Sequence, residues 1–335
     1  MLSVLIPTKN NHEILVSQLS IFDQLFSQDD AVKFIVLDNS FSVCKEAACI
    51  CEKKGWVYDN QPGPLSVADN FNRGIEYIKG NNGYSTFIGD DDFITYHALA
   101  LCQHLHDNNV DVFRPVFENF VYWNGFTSRR GTVTSAFEVR ENNSFIQNLH
   151  ILLKKHVFKK INKFDGPQFN LIPSFYHCIF SNKLVDNFSF GPFAPDSYSA
   201  GFIDKLHVNY KVEISSAIIP GSAPRSSSAY TAVKDGYDSF SSHPHTNAFL
   251  NDDVLTEIKN LPYRSDYIWF MSFLAGQKDY RNASEISHTD FTMLQNYNIN
   301  PLLRYYKRFV SLASAGTVHI KKYEKAAFIS FLKVG

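Results

Sequence analysis

The chain has 335 residues and a formal net charge of −1, with 44% apolar, 19% charged and 15% aromatic residues. That length buries a large core in one big domain with appendages, or in two domains, and the composition excludes a disordered chain. The near-neutral balance supplies no field to gather nucleic acid, and no apolar run approaches the roughly 18 residues of a membrane span.

The average hides an asymmetry. Residues 301–335 carry seven Lys or Arg against one Glu, a local charge of +6 that leaves −7 for the rest. This tail reads as a solvated helical segment, with peripheral attachment to an anionic membrane as the functional alternative. The five cysteines (Cys44, Cys49, Cys51, Cys102 and Cys178) lack metal-binding spacing. With no signal peptide ahead of the first strand, they predict reduced thiols in a cytoplasmic protein.

In chain order, Ser3 to Pro7 is a short apolar run ended by proline, which fits a buried parallel strand. Ile14, Leu15, Leu19, Phe22 and Leu25 recur at helical spacing. Lys33 to Leu37 forms a second strand, with Asp38-Asn39-Ser40 at its carboxyl end. A helix over about 43–54, a short strand over 56–58, a Gln61–Pro64 loop and a helix over 66–78 follow.

Next comes YSTFIGDDDFI, residues 84–94: a strand, Gly89, and three consecutive carboxylates. Adjacent carboxylates repel unless a cation joins them, and Mg2+ or Mn2+ takes oxygen ligands. Alternate residues of an extended chain point the same way, so Asp90 and Asp92 would share an ion while Asp91 faces elsewhere. A solvated acidic turn is the competing reading.

Strands alternating with helices predict an α/β fold, a mostly parallel sheet flanked by helices, with ligands beyond the carboxyl ends of the strands. Thr8-Lys9-Asn10, Asp38-Asn39-Ser40 and Asp90-Asp91-Asp92 would then share one rim. The chain has neither a dinucleotide fingerprint nor a phosphate loop.

Beyond the triplet, the pattern predicts a helix over 97–106, a strand over 111–113, a hairpin excursion over 115–135 and a helix over 141–150. A turn-rich basic stretch, 154–167, precedes PSFYHCIF at 173–180 and a helix opening at Ser181. In GPFAPDSYSAGFIDKL, residues 191–206, two prolines lead to Asp196 at a helix N-cap position. Plain capping competes with a catalytic-base role for Asp196. Residues 207–220 read as strand pairs, 221–246 as a flexible Ser-rich loop and possible lid, and 247–335 as a helical C-terminal region that includes helices over 252–259 and 263–275. Residues 1–220 would be the catalytic domain.

Four pieces of the first hundred residues, SVLIPTKN, FIVLDNS, SVADNFNRGIEYI and FIGDDDFI, in this order, resemble the family-two glycosyltransferases of GT-A fold. The resemblance implies a GT-A-like (Rossmann-like) sheet with a mainly helical C-terminal extension. It also implies an inverting transfer from a nucleotide diphosphate sugar to a hydroxyl of a glycan or lipid-linked acceptor, as in surface polysaccharide synthesis. It places Pro7, Thr8 and Asp38 at the nucleobase and ribose and Asn70 nearby in the donor site. Asp90 and Asp91 fall in the donor site as well, Asp92 and Asp90 are assigned to Mn2+ or Mg2+ with Asp91 as the alternate ligand, and Asp196 becomes the base. Asp38 suits a base with an imide or amide donor, which favours a UDP-sugar. Many relatives have Arg-Asn where this chain has Asp69-Asn70, so no basic diphosphate contact carries over to Asp69. The same residues admit two rivals, a sugar-phosphate nucleotidylyltransferase and a non-catalytic glycan- or nucleotide-binding module. Nothing in the sequence sets an oligomeric state.

Overall fold

The computed structural model describes residues 1–26, 29–117, 119–123, 127–128, 131–132, 137–141, 173–206, 208–224, 265–281 and 285. In chain order the first elements are β1 (Leu2–Thr8), α1 (His12–Leu25), β2 (Val32–Asp38), α2 (Lys45–Lys54), β3 (Val57–Asn60), α3 (Val67–Ile78), β4 (Tyr84–Phe87), β5 (Phe93–Ile94) and α4 (His97–Asp107). Then come β6 (Val112–Phe117), β7 (Asn119–Trp123), β8 (Thr127–Ser128), β9 (Gly131–Thr132), β10 (Phe137–Glu141) and β11 (Ile179–Ser181). The last are α5 (Pro195–Leu206), β12 (Tyr210–Ser215), β13 (Ile218–Ile219), β14 (Gly221–Ser222) and α6 (Ser265–Lys278).

A seven-stranded sheet runs β12-β6-β11-β4-β1-β2-β3. Only β11 is reversed, pairing antiparallel with both β4 and β6, so the sheet is mostly parallel as expected. In the parallel register Thr8 lies beside Asp38, Asp38 beside Asn60, and Leu5 beside Phe87, which sets four strand ends along one edge. Pro7 is tolerated inside β1 because the β4 pairing stops at Leu5, where no N–H from residue 7 is needed.

Alternation along β1 sends Leu2, Val4 and Ile6 to one core cluster and Leu5 to the other. On the first face α1 packs Leu15, Leu19 and Phe22, and Phe22 stacks on Phe34 with centroids 4.5 Å apart. On the second, Phe71 of α3 stacks on Phe87 at 4.7 Å, joined by Phe175, Phe180, Phe188, Phe190 and Phe202. These phenylalanines are core.

Local chemistry explains several boundaries. Ser66 accepts from the Asp69 N–H while the Asp69 carboxylate accepts from the Ser66 N–H, a capping box that opens α3. Asp69 is thus a helix-start residue. Gly55, at φ 68°, takes the left-handed position that ends α2.

Other expectations are corrected. The helix expected at Ser181 is a single 3-10 turn, Asn182–Val185. The two strands within 207–220 do not pair with each other: β12 joins β6 in parallel and β13 joins β5. α5 starts at Pro195, so Asp196 sits inside the first turn and not at the cap. Glu141 closes β10, and the rest of the helix expected over 141–150, the one expected over 252–259, most of the 221–246 loop and the basic tail lie outside the described residues.

α5 and α6 cross with their backbones in contact. A Cβ on Gly201 would fall 2.0 Å from the Phe273 carbonyl oxygen, and one on Gly276 would fall 2.0 Å from that of Tyr198. Ser272, fully buried on α6, accepts the Ala194 N–H at 2.9 Å and so anchors the residue leading into α5.

Candidate functional site

The edge where β4, β1 and β2 end in parallel collects the polar groups. Asp38 is fully buried and its carboxylate is shared. Oδ1 accepts the Ser40 N–H at 2.8 Å, Oδ2 accepts the Tyr58 hydroxyl at 2.5 Å, and His12 Nε2 lies 3.2 Å from Oδ2. Burial and the Asp38 contact push the Tyr58 phenol upward, so it stays a donor. Asn10, at φ 56°, donates its N–H to Ser40 Oγ at 2.7 Å and ties the loop after β1 to the loop after β2. Asn70 is 5% exposed, donates to the Leu37 carbonyl at 3.0 Å and accepts from Arg73. It bolts α3 to the end of β2.

The aspartate triplet is a turn and not an extended run, because the Asp92 N–H donates back to the Gly89 carbonyl at 3.2 Å. The three carboxylates therefore leave in three directions. Asp90, partly exposed at the rim, accepts from the Thr8 hydroxyl and from Asn11 Nδ2 at 2.9 Å. Asp91 turns inward and accepts the Ala223 N–H at 2.9 Å. Asp92, 1% exposed, accepts from the Gly89 N–H at 2.5 Å, the Gly221 N–H at 2.7 Å and the Tyr176 hydroxyl at 3.2 Å, with His177 Nε2 2.5 Å away. Gly89 suits this turn because a Cβ there would come within 2.7 Å of an Asp91 oxygen and 3.1 Å of an Asp92 oxygen.

The electrostatics separate the three groups. Burial, reinforced by the charges of Asp92 and Asp38, raises Asp90 to about 6 despite the Thr8 and Asn11 donors. Asp91 is raised well above its ordinary value by burial and by both neighbouring carboxylates. Burial would raise Asp92 too, but His177 and the two amide donors outweigh it and hold Asp92 low.

His177 and Tyr176 connect this cluster to α5. His177 adopts φ 55°, a left-handed conformation that costs a non-glycine residue about 1 kcal/mol. Its N–H donates to the Phe87 carbonyl at 2.9 Å and its ring stacks on Tyr176 at 4.0 Å. The stretch PSFYHCIF therefore supplies both a core strand and two site residues. At the start of α5, burial lifts Asp196 to about 6, against the opposing pull of its helix-start amides, His177 and Arg114. Asp196 thus lies within electrostatic reach of the residue that pairs with Asp92.

A divalent cation fits the chemistry of this donor set. Asp90 and Asp91 have no cationic partner among the described residues, and both are raised first by burial and further by neighbouring carboxylates, Asp92 and Asp38 for Asp90 and Asp92 and Asp90 for Asp91; a bound cation would offset both causes. Carboxylate oxygens with the imidazole of His177 suit Mn2+, and the oxygens alone suit Mg2+. Among the described residues no three such side chains already converge as metal ligands do. The structure thus brings together Thr8, Asp90, Asp91 and Asp92, joins Asp38 to them through the paired ends of β1 and β2, and sets Asn70 beneath the rim as a packing residue.

Several contributors are not evident from the sequence alone: Asn11, Gln18, Trp123, Gly221 and Ala223. Gln18 Nε2 donates to the carbonyls of both Gly89 and Asp92, and Trp123 Nε1 donates to that of Asp91. A signal did exist for Gln18, a polar residue on the apolar stripe of α1. Gly221 had none, since its partners are 129 to 130 residues away.

No protein-family model matches the chain, and no curated protein matches it in sequence. Among solved structures, a mannosyltransferase of Pyrobaculum calidifontis in complex with GDP-Man and Mn2+ is similar with a TM-score of 0.47 at 14% identity, over 94% of this chain and 85% of that one. TarS 1–349 of S. aureus in complex with UDP-GlcNAc gives 0.46 at 13%, over 94% and 80%. The glucosyl-3-phosphoglycerate synthase of Mycobacterium tuberculosis, with Mn2+, UDP and glucosyl-3-phosphoglycerate, gives 0.36 at 14%, over 67% and 70%. None of these similarities transfers a residue role or a substrate. No helix among the described residues is long and apolar enough to cross a membrane.

Proposed function

We propose that this chain is a glycosyltransferase that takes a sugar from a nucleotide diphosphate donor, with a divalent cation, and passes it to a hydroxyl of a glycan or lipid-linked acceptor with inversion. One observation carries the reading. The ends of three adjacent parallel strands present Asp38, Thr8 and Asp90 on one rim, with Asp90 hydrogen-bonded to Thr8, and Asp196 lies within electrostatic reach of His177, the partner of Asp92.

Asp90 and Asp92, with His177 beside them and Asp91 as the alternate, would hold Mn2+ or Mg2+. When bound, the cation supplies positive charge against the diphosphate of the donor. Thr8 and Asn11 orient the Asp90 carboxylate, and the Gly89 and Gly221 amides fix that of Asp92. The loops after β1 and β2, with Pro7, Asn10, His12 and Asp38, face the nucleoside, where His12 and Tyr58 govern how much of Asp38 a base meets. Asp196 takes the proton of the acceptor hydroxyl. Its pKa of about 6 leaves it deprotonated yet basic at neutral pH. The basic tail, residues 301–335, would bring the enzyme to an anionic membrane carrying a lipid-linked acceptor.

The test is a screen of UDP-, GDP- and dTDP-sugars for hydrolysis and for thermal stabilisation, each with Mn2+ and with EDTA. Cation-dependent stabilisation by one nucleotide family, lost in Asp90→Ala, is the expected result. Absence of any cation-dependent nucleotide effect across the panel rules the reading out.

A further inference from the structure

The stripe of α1 that meets the sheet consists of Leu15, Gln18, Leu19 and Phe22, and Gln18 is as fully buried as its apolar neighbours. A leucine would suit that position by pattern, and burying a carboxamide costs free energy unless its groups are bonded. Gln18 is only half compensated: its Oε1 has no partner, while its Nε2 serves two acceptors. Those acceptors are the Gly89 carbonyl at 2.7 Å and the Asp92 carbonyl at 2.5 Å, the two ends of the aspartate turn. The middle of the same turn is held as well, from β7, where Trp123 Nε1 donates to the Asp91 carbonyl at 2.7 Å. Trp123 is itself locked, 4% exposed and stacked on Phe93 at 5.6 Å.

We infer that Gln18, together with Trp123, is a positioning residue of the cation site: the two side chains clamp the backbone of residues 89–92 and so set the directions in which the three carboxylates leave the turn. A turn of three repelling carboxylates does not hold its own shape, and one backbone hydrogen bond closes it. Gln18 and Trp123 bond only to main-chain carbonyls of the turn and take no acceptor capacity from the carboxylates themselves. Residues behind metal ligands commonly govern affinity by 10–100-fold.

The inference rests on the proposed cation site, and the experiment separates the two. Mn2+ binding to the full chain is followed by electron paramagnetic resonance of the free ion, with UDP and in a parallel arm with GDP, for wild type, Gln18→Met and Leu19→Ala. Gln18→Met keeps length and apolar fit but donates nothing, and Leu19→Ala leaves a cavity one residue along the same helix. The expected result is Mn2+ binding at least about tenfold weaker in Gln18→Met, with an altered spectrum of bound Mn2+, and wild-type affinity in Leu19→Ala despite its lower melting temperature. Wild-type affinity in Gln18→Met overturns the clamp while leaving the cation site standing, and equal weakening in Leu19→Ala also overturns it. A wild-type protein that takes up no Mn2+ in either arm overturns the cation site and the clamp together. Should Gln18→Met fail to fold, Trp123→Phe carries the same expectation and the same overturning result.

Discussion

A general base has to be deprotonated at working pH yet still want a proton, and the role proposed for Asp196 asks both of it. Enclosure at the start of α5 lifts it to about 6, while the helix-start amides, His177 and Arg114 keep it from rising further. The rate should therefore fall about tenfold per pH unit below about 6, and Asp196→Asn should lower turnover by roughly 10²–10⁴. Nucleotide affinity by calorimetry should stay within about twofold of wild type. Initial rates close to wild type in that variant remove Asp196 from the chemistry. The same shift has a stability consequence of opposite flavour. The folded pKa lies above the ordinary 3.8, so the native state binds more protons between those values and its advantage fades as pH rises through 6. Above pH 7 the charged carboxylate then costs on the order of 1 kcal/mol, allowing for screening at a partly exposed group. Asp196→Asn should accordingly need more urea to unfold than wild type at pH 8, and the gap should close by pH 4.

At the scale of elements, the strap Gly221–Ser222 matters more than its length suggests. A Cβ on Gly221 would lie 1.6 Å from the Asp91 carbonyl oxygen, so only glycine lets this strand pass against the aspartate turn while its N–H reaches Asp92. Gly221→Ala must push the strap away, and overpacking of this kind costs about 1–3 kcal/mol. A lower melting temperature together with weakened cation binding is expected, and a variant with unchanged Mn2+ affinity would detach the strap from the site. The segment also shows where sequence reasoning stops. β1, α1, β2, α3 and β4 were legible because each carries its own period and punctuation, as in SVLIP or the Ser66–Asp69 start. The strand ends that collect Thr8, Asp38 and Asp90 followed from parallel pairing alone. Gly221 was legible only as a loop glycine, because what demands a glycine is a backbone 130 residues away. His177 posed a similar difficulty: within FYHCIF its apolar neighbours signal a strand, while its left-handed backbone and its pairing with Asp92 are set by β4 and the turn. The extended-chain argument for Asp90 and Asp92 failed for a local reason, the Asp92-to-Gly89 hydrogen bond that folds the triplet into a turn.

Across the whole molecule, the site draws on α1, β7, β14 and the approach to α5 at once, so its charge is coupled to global stability. Three carboxylates share an enclosed turn with one imidazole partner among the described residues, and on the proposed reading the folded state carries their repulsion until a cation binds. Asp90→Asn tests this, since the amide keeps the acceptor for Thr8 or Asn11 and removes only the charge. The metal-free variant should melt a few degrees higher than metal-free wild type, because relief of repulsion outweighs the weaker hydrogen bonds. Wild type should gain stability on adding Mn2+ with a nucleoside diphosphate, by about 2.7 kcal/mol at a hundredfold excess over Kd. Asp90→Asn should lose that gain. The two curves must then cross: the variant is the more stable in EDTA and the less stable when loaded. Differential scanning calorimetry in both conditions reads the crossing directly. A variant that is less stable than wild type in EDTA shows that the Thr8–Asp90–Asn11 bonds dominate the turn, and that charge repulsion is not what the cation relieves.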